Sequence, residues 1–188
     1  MACSNLILER VIEKLKNDIA KGDLSGVEDN YRNGVECEKF LMEMISDCGA
    51  SHIFRTPGSR SKFDVIAIEN KQRGVIFHFI QVKSSGSKDN IKKYNDNLKS
   101  EMTKQARRLR KLAGIKVVDH SISWVRIYNP ENGEKELVDI TMIKCSAITR
   151  EFYNRINPET RIIDIVQKKK ALVKAKKAIA IAKKASNI

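Results

Sequence analysis

The sequence predicts an α/β protein built on a mixed central sheet flanked by helices. Three observations carry this. The elements read in the order helix, three strands, helix, then two or three strands. The strand from Val75 to Ser84 is apolar on both faces, with Val75, Phe77 and Phe79 on one side and Ile76, His78, Ile80 and Val82 on the other, so it belongs mid-sheet under two covering layers. At 188 residues, 41% hydrophobic and 31% charged, the chain can bury one sizeable core with extensions. No apolar run approaches the roughly twenty residues of a membrane span.

In order, Leu6, Ile7, Val11, Ile12, Leu15 and Ile19 recur at helical spacing over Asn5 to Ala20, and KGDLSG breaks the pattern. A second helix is expected from Gly34 to Asp47, where Cys37, Leu41, Met44, Ile45 and Cys48 recur every three or four residues before Gly49 stops it. A meander follows: SHIFRT, Phe63 to Glu69, a turn at NKQRG, and the long strand to Ser84. Ile91, Tyr94, Leu98, Met102, Ala106, Leu109 and Leu112 predict an amphipathic helix over Asn90 to Leu112, basic toward its end in KQARRLRK. GIKVVD and SISWVRIYN return to strand, and PENG reads as a turn. The expected organisation is an N-terminal helix and linker over 1–31, the core over 32–145, and a C-terminal extension over 146–188 with a lysine-rich helix.

Cys3, Cys37, Cys48 and Cys145 are scattered, which fits packed thiols rather than a zinc site or a disulfide framework. Cys37 and Cys48, three helical turns apart, are expected to face one interior. The first twenty residues lack the pattern of an export signal, so an intracellular protein is expected, acting in a cell or, as a viral protein, in a host cell.

The formal net charge of +13 favours a polyanionic partner. The segment from Val166 onward has eight lysines and no acid, supplying +8 of that total. On a helix Lys169, Lys176 and Lys183 lie beside Lys170, Lys177 and Lys184, with Ile165, Leu172 and Ile179 on a neighbouring stripe. A nonspecific DNA-binding arm is the favoured reading, over a solvated lysine-rich helix docked on its own fold or a partner, or a helix on a membrane surface.

Two polar chains interrupt strands that otherwise read as core: Asp64 and Lys83. An even-numbered turn puts Asp64 on the sheet face of Gln81 and Lys83. An acid on one strand, an amide on the next and a lysine two residues on can together hold a hard divalent cation and a water beside a phosphate, with the Val82 carbonyl as a further ligand.

Asp64 and Gln81-Val82-Lys83, with Glu38 on the preceding helix, resemble the PD-(D/E)xK nuclease superfamily. More narrowly, RNGVECEKFL, IFRTPGS, KFDVIAI and IQVKSS are similar to the archaeal Holliday junction resolvases, over roughly Arg32 to Ile127. The resemblance implies a restriction-endonuclease-like core and a DNA endonuclease dependent on Mg²⁺, with Mn²⁺ as substitute. It also implies a branched DNA substrate and a C2 homodimer carrying two active sites. By position Asp64 matches the metal-binding aspartate, Glu38 the helix glutamate and Lys83 the catalytic lysine. Asp64, Gln81, the Val82 carbonyl and Glu38 become the expected metal ligands. Arg55, Ser59, Arg60 and Lys62 become phosphate contacts. Gln81 stands where the family usually has glutamate; its amide oxygen can ligate, with one negative charge fewer.

Each residue also has a structural reading: Asp64 as a turn acid, Lys83 as a strand-end lysine reaching solvent, Glu38 as a first-turn helix acid. His78 is expected to be a hydrogen-bonded core histidine, Trp124 a core residue, and Glu36, Glu43 and Glu69 solvated.

Overall fold

The computed structural model describes residues 29–56, 61–131, 133–156, 159, 161–165, 171–173, 175 and 179, side chains at 29–32 and 161 excepted. The helix expected over Asn5 to Ala20 lies outside them.

Helix α1 runs Asp29–Ser46, followed by β1 His52–Arg55, β2 Val65–Lys71 and β3 Gly74–Ser85. A 3₁₀ turn Asp96–Leu98 leads into α2 Lys99–Leu112, then β4 Val117–Tyr128, β5 Glu136–Lys144, α3 Ala147–Ile156 and β6 Arg161–Asp164. The six strands form one mixed sheet in chain order. β1, β2 and β3 make an antiparallel meander, β4 lies parallel to β3 after the α2 crossover, β5 is antiparallel to β4, and β6 parallel to β5. The α/β class with a mixed sheet flanked by helices is therefore present. Among the described residues no helix is long and apolar enough to cross a membrane.

β3 is the central strand, buried from Val75 to Val82. Its alternation splits the core in two. Phe77 and Phe79 join Ile66, Ile68, Trp124, Ile122 and the α2 residues Met102, Ala106 and Leu109 on one face. Ile80 and Val82 join Val65, Ala67, Val125 and Ile140 under Leu41 and Ile45 of α1 and Phe152, Tyr153 and Ile156 of α3 on the other. Cys37 and Cys48 are buried free thiols within this second face. The turn that follows α1 closes at Gly49, whose φ of +81° is open to glycine at little cost.

Several expectations are corrected. α1 starts five residues before Gly34, which places Glu38 mid-helix, not in a first turn. The helix expected from Asn90 begins only after Asn95, whose side-chain oxygen accepts from the Asn97 amide at 3.0 Å and caps the 3₁₀ turn; Ile91 is buried from a loop. GIKVVD and SISWVRIYN form a single strand, apart from the first three residues and Asn129. The core does not end at Cys145, because α3 supplies Phe152 and Tyr153 and β6 pairs with β5.

Glu36 and Glu43 are exposed as expected, but Glu69 is 3% exposed. Arg155 donates to its Oε1 at 2.7 Å and His78 Nε2 lies 3.0 Å from Oε2. Burial alone raises the Glu69 pKa; bonding and charge attraction to His78, followed by the charge of Lys71, outweigh it and bring the group down to about 2. Burial lowers the His78 pKa against the pull of Glu69, and its Nδ1 lies 2.9 Å from Ser121 Oγ. Ser121 and Ser123 both bond the buried Tyr153 hydroxyl, closing a polar chain inside the second core face.

Candidate active site at the β2–β3 junction

β2 and β3 are joined by the two-residue turn Gln72-Arg73, with Lys71 paired to Gly74 and Val65 to Ile80. One step beyond that last pair, the Asp64 amide bonds the Ile80 carbonyl at 2.9 Å, so Asp64 faces Gln81. The ladder ends there. The Asp64 carboxylate replaces the missing strand, accepting from the Val82 amide at 2.7 Å through Oδ2. The Thr56 amide bonds the Asp64 carbonyl at 2.8 Å and ties the end of β1 to the same point.

Gln81, 8% exposed, lies against the carboxylate. Its Nε2 donates to Asp64 Oδ2 and, at 3.3 Å, to the Val82 carbonyl. One NH₂ group thus sits between two oxygens that a cation would coordinate. Turning the amide about its last torsion brings Oε1 into play, giving carboxylate, carbonyl and amide oxygens together. An all-oxygen set suits Mg²⁺ or Mn²⁺ over a softer metal.

Glu38 reaches the site from α1. Arg55 Nε of β1 lies 3.6 Å from its Oε2, and the Glu38 side chain is 18% exposed. Burial and then the Asp64 charge raise its pKa to about 7, against the pull of Arg55 and Lys83. Burial likewise raises Asp64, opposed by Lys83 and the Val82 amide. Burial disfavours the charged form of both carboxylates despite Arg55 and Lys83, and a divalent cation beside them would favour it. The residues fit such an ion.

Lys83 follows on the same face, its Nζ 5.6 Å from the Trp124 ring centroid. Trp124 is a core residue, as expected, but it also backs the lysine; its Nε1 donates to the Lys92 carbonyl at 3.0 Å and fixes the loop before α2. The register places Arg126 beside Lys83, paired with Asp139 at 2.5 Å. Beyond Arg126 a cavity of about 920 Å³ opens, lined by Tyr94, Asp139 and Thr141 among others. Nothing in the sequence connects Trp124 or Arg126 to Lys83, because parallel register across a crossover leaves no local signal.

Of the expected phosphate contacts, Arg55 is engaged with Glu38, and Lys62 forms an exposed pair with Glu101 at 2.9 Å. Such a pair is worth little and exchanges readily for a phosphate. Gln105 Oε1 accepts from the Lys62 amide at 2.6 Å, anchoring one end of the loop. Ser59 and Arg60 lie outside the described residues, as do Lys169, Lys170, Lys176, Lys177, Lys183 and Lys184. Glu38, Asp64, Gln81, Val82 and Lys83 are thus brought together from α1, the start of β2 and the end of β3. No protein family, curated protein or solved structure matches the chain.

Proposed function

We propose that the protein is a metal-dependent DNA endonuclease of the restriction-endonuclease-like kind, acting on branched DNA and preferring four-way junctions. The observation that carries this is the convergence of the Asp64 carboxylate, the Gln81 amide and the Val82 carbonyl at the open end of the β2–β3 ladder, with Lys83 on the same face. The helix, three-strand meander, crossover helix and parallel strand support the same reading.

When bound, Mg²⁺ supplies charge neutralisation at the scissile phosphate and lowers the pKa of a water. Asp64, Gln81, the Val82 carbonyl and Glu38 would hold it. Glu38, held near 7 by burial and the Asp64 charge before a metal binds, would become fully ionised on ligating the ion. Lys83 brings a compact positive charge to the phosphate as it becomes pentavalent, with the Trp124 face behind it limiting where the ammonium can go. Lys62, Ser59 and Arg60 would position flanking phosphates without reading sequence. Paired cuts across a four-way junction need two sites related by a two-fold axis, hence a C2 homodimer.

Nicking of supercoiled plasmid with and without Mg²⁺, then a panel of four-way junction, flap, nicked and single-stranded DNA, tests this. Asp64→Ala and Lys83→Ala are expected to abolish cleavage while keeping DNA affinity near wild type. Undiminished cleavage by either variant removes the site assignment, and a preference for flaps or nicks keeps the chemistry and changes the substrate. A second reading, a DNA-binding protein without cleavage, is favoured by the Gln81 NH₂ group lying between the two oxygens. Junction binding with no cleavage in Mg²⁺ or Mn²⁺ would select it.

A further inference from the structure

A second concentration of charge lies on the same sheet face, toward the opposite end of β4. Lys144 Nζ, from the end of β5, is 2.8 Å from His120 Nε2 and 3.1 Å from Nδ1. Arg110 Nη1, from the last turn of α2, is 3.5 Å from the same Nε2. Arg107, one turn earlier, acts on Lys144 through its charge. The imidazole beneath is 6% exposed and meets the Phe79 ring edge-on. The acid acting on this group is Asp119, whose carboxylate is already engaged by the His120 amide at 2.7 Å and the Ser146 hydroxyl at 2.5 Å. Arg110 Nε is buried with no hydrogen-bond partner among the described residues.

Lys144 and Arg110 meet at one neutral ring, with Arg107 one turn before Arg110, and these cations repel each other against one occupied carboxylate. The dipole at the α2 C-terminus accounts for Arg110 and for Lys111, but not for Lys144, which comes from another element and is exposed enough to turn to water. An oxyanion with several acceptor atoms resolves both the repulsion and the orphaned donor. We propose that Arg110 and Lys144, set over His120, form a binding site for a phosphate group together with Arg107 one turn before Arg110. Parallel register gives the distance from the β3 lysine: Phe77 pairs with His120 and Lys83 with Arg126, six positions, or about 20 Å. A DNA backbone gripped at the β2–β3 junction could reach this far. That source of phosphate rests on the nuclease reading, whereas a free phosphate or phosphomonoester does not.

The full-length protein is tested with inorganic phosphate against chloride at matched ionic strength. Phosphate is expected to raise the melting temperature of the wild type. Arg107→Gln and Lys144→Gln should lose that increment, with affinity down about tenfold or more per charge-assisted bond, and should melt no lower than the wild type in chloride, since repulsion is relieved. The His120 ring resonances give an independent readout. Burial, Lys144 and Arg110 hold its pKa near 4 against Asp119, so neutralising those cations should move its titration upward. Duplex affinity over a salt series separates the sources: a slope smaller by about 0.9 for each phosphate that a variant no longer neutralises marks a backbone phosphate. An unchanged slope with a lost phosphate increment marks a small phosphate ligand. No phosphate-specific stabilisation or His120 shift in the wild type, together with unaltered DNA slopes in the variants, overturns the proposal.

Discussion

At the residue scale, Glu38 and Gln81 set the electrostatic balance of the site. The Glu38 carboxyl ionises near 4.5 in the unfolded chain and, raised by burial and by Asp64, near 7 in the fold. Its contribution to stability is therefore full below pH 4.5 and disappears as pH rises through 7 in the metal-free protein. The wild type in chelator is expected to lose about 3 kcal/mol over that range which Glu38→Gln retains. Urea denaturation on both sides of the interval measures it; parallel pH curves would mean that neither burial nor Asp64 raises Glu38 in the fold. Gln81 gives a prediction of opposite sign with and without metal. Gln81→Glu puts a third carboxylate where an NH₂ now donates to Asp64, so the variant should melt lower in chelator yet bind Mg²⁺ more tightly, while Gln81→Ala should bind it more weakly. Calorimetric Mg²⁺ titrations unchanged in both variants would show that position 81 is not a ligand.

At the scale of elements, the β2–β3 hairpin does most to build the site, because its two-residue turn fixes the register that sets Asp64 against Gln81. Gly74 closes that turn at φ +142°, and a Cβ there would meet the Lys116 carbonyl oxygen at 2.2 Å, the same oxygen that accepts from Val75 at 3.0 Å. Gly74→Ala is expected to cost about 2 kcal/mol or more and to loosen the β3–β4 contact at its start. Chemical denaturation gives the first, and hydrogen exchange at Val75 the second; a variant as stable as wild type with Val75 still protected would show the turn adapts freely. The hairpin was legible in sequence because period-two alternation and an even turn are local properties of Phe63 to Ser84. So was the two-faced burial of β3. The place of Glu69 was not: the polarity of one side chain says nothing about Arg155, 86 residues on, or about His78 across the hairpin. The start of α2 was missed for a different reason. Ile91 and Tyr94 continue the helical spacing, but Asn95 offers its own cap, and the apolar side chains then bury themselves from a loop.

At the scale of the whole molecule, the question is where the core stops and the basic tail starts. β6 pairs Arg161 to Asp164 with Asp139 to Met142, and Arg150 of α3 bonds the Asp164 carboxylate. Ile165 still packs against the core, but farther along the predicted apolar stripe Leu172 and Ile179 are each 57% exposed. That exposure leaves most of both side chains uncovered, although Leu172 lines the cavity beside Arg126 and Asp139. Truncation after Ile165 is therefore expected to leave a folded protein with a melting temperature near wild type, whereas truncation after Cys145 strips Phe152, Tyr153 and Ile156 from the core and should prevent folding. If the removed lysines are a DNA arm, the shorter protein binds duplex more weakly, and its salt slope falls by about 0.9 for each phosphate those lysines neutralise in the full chain. Cleavage at saturating DNA should survive, since Glu38, Asp64, Gln81 and Lys83 all precede the cut. Affinity across a salt series, with thermal melting as the folding control, decides between the two roles: an unchanged slope in a well-folded truncate would remove the DNA-arm reading, and a large drop in melting temperature would restore the docked helix.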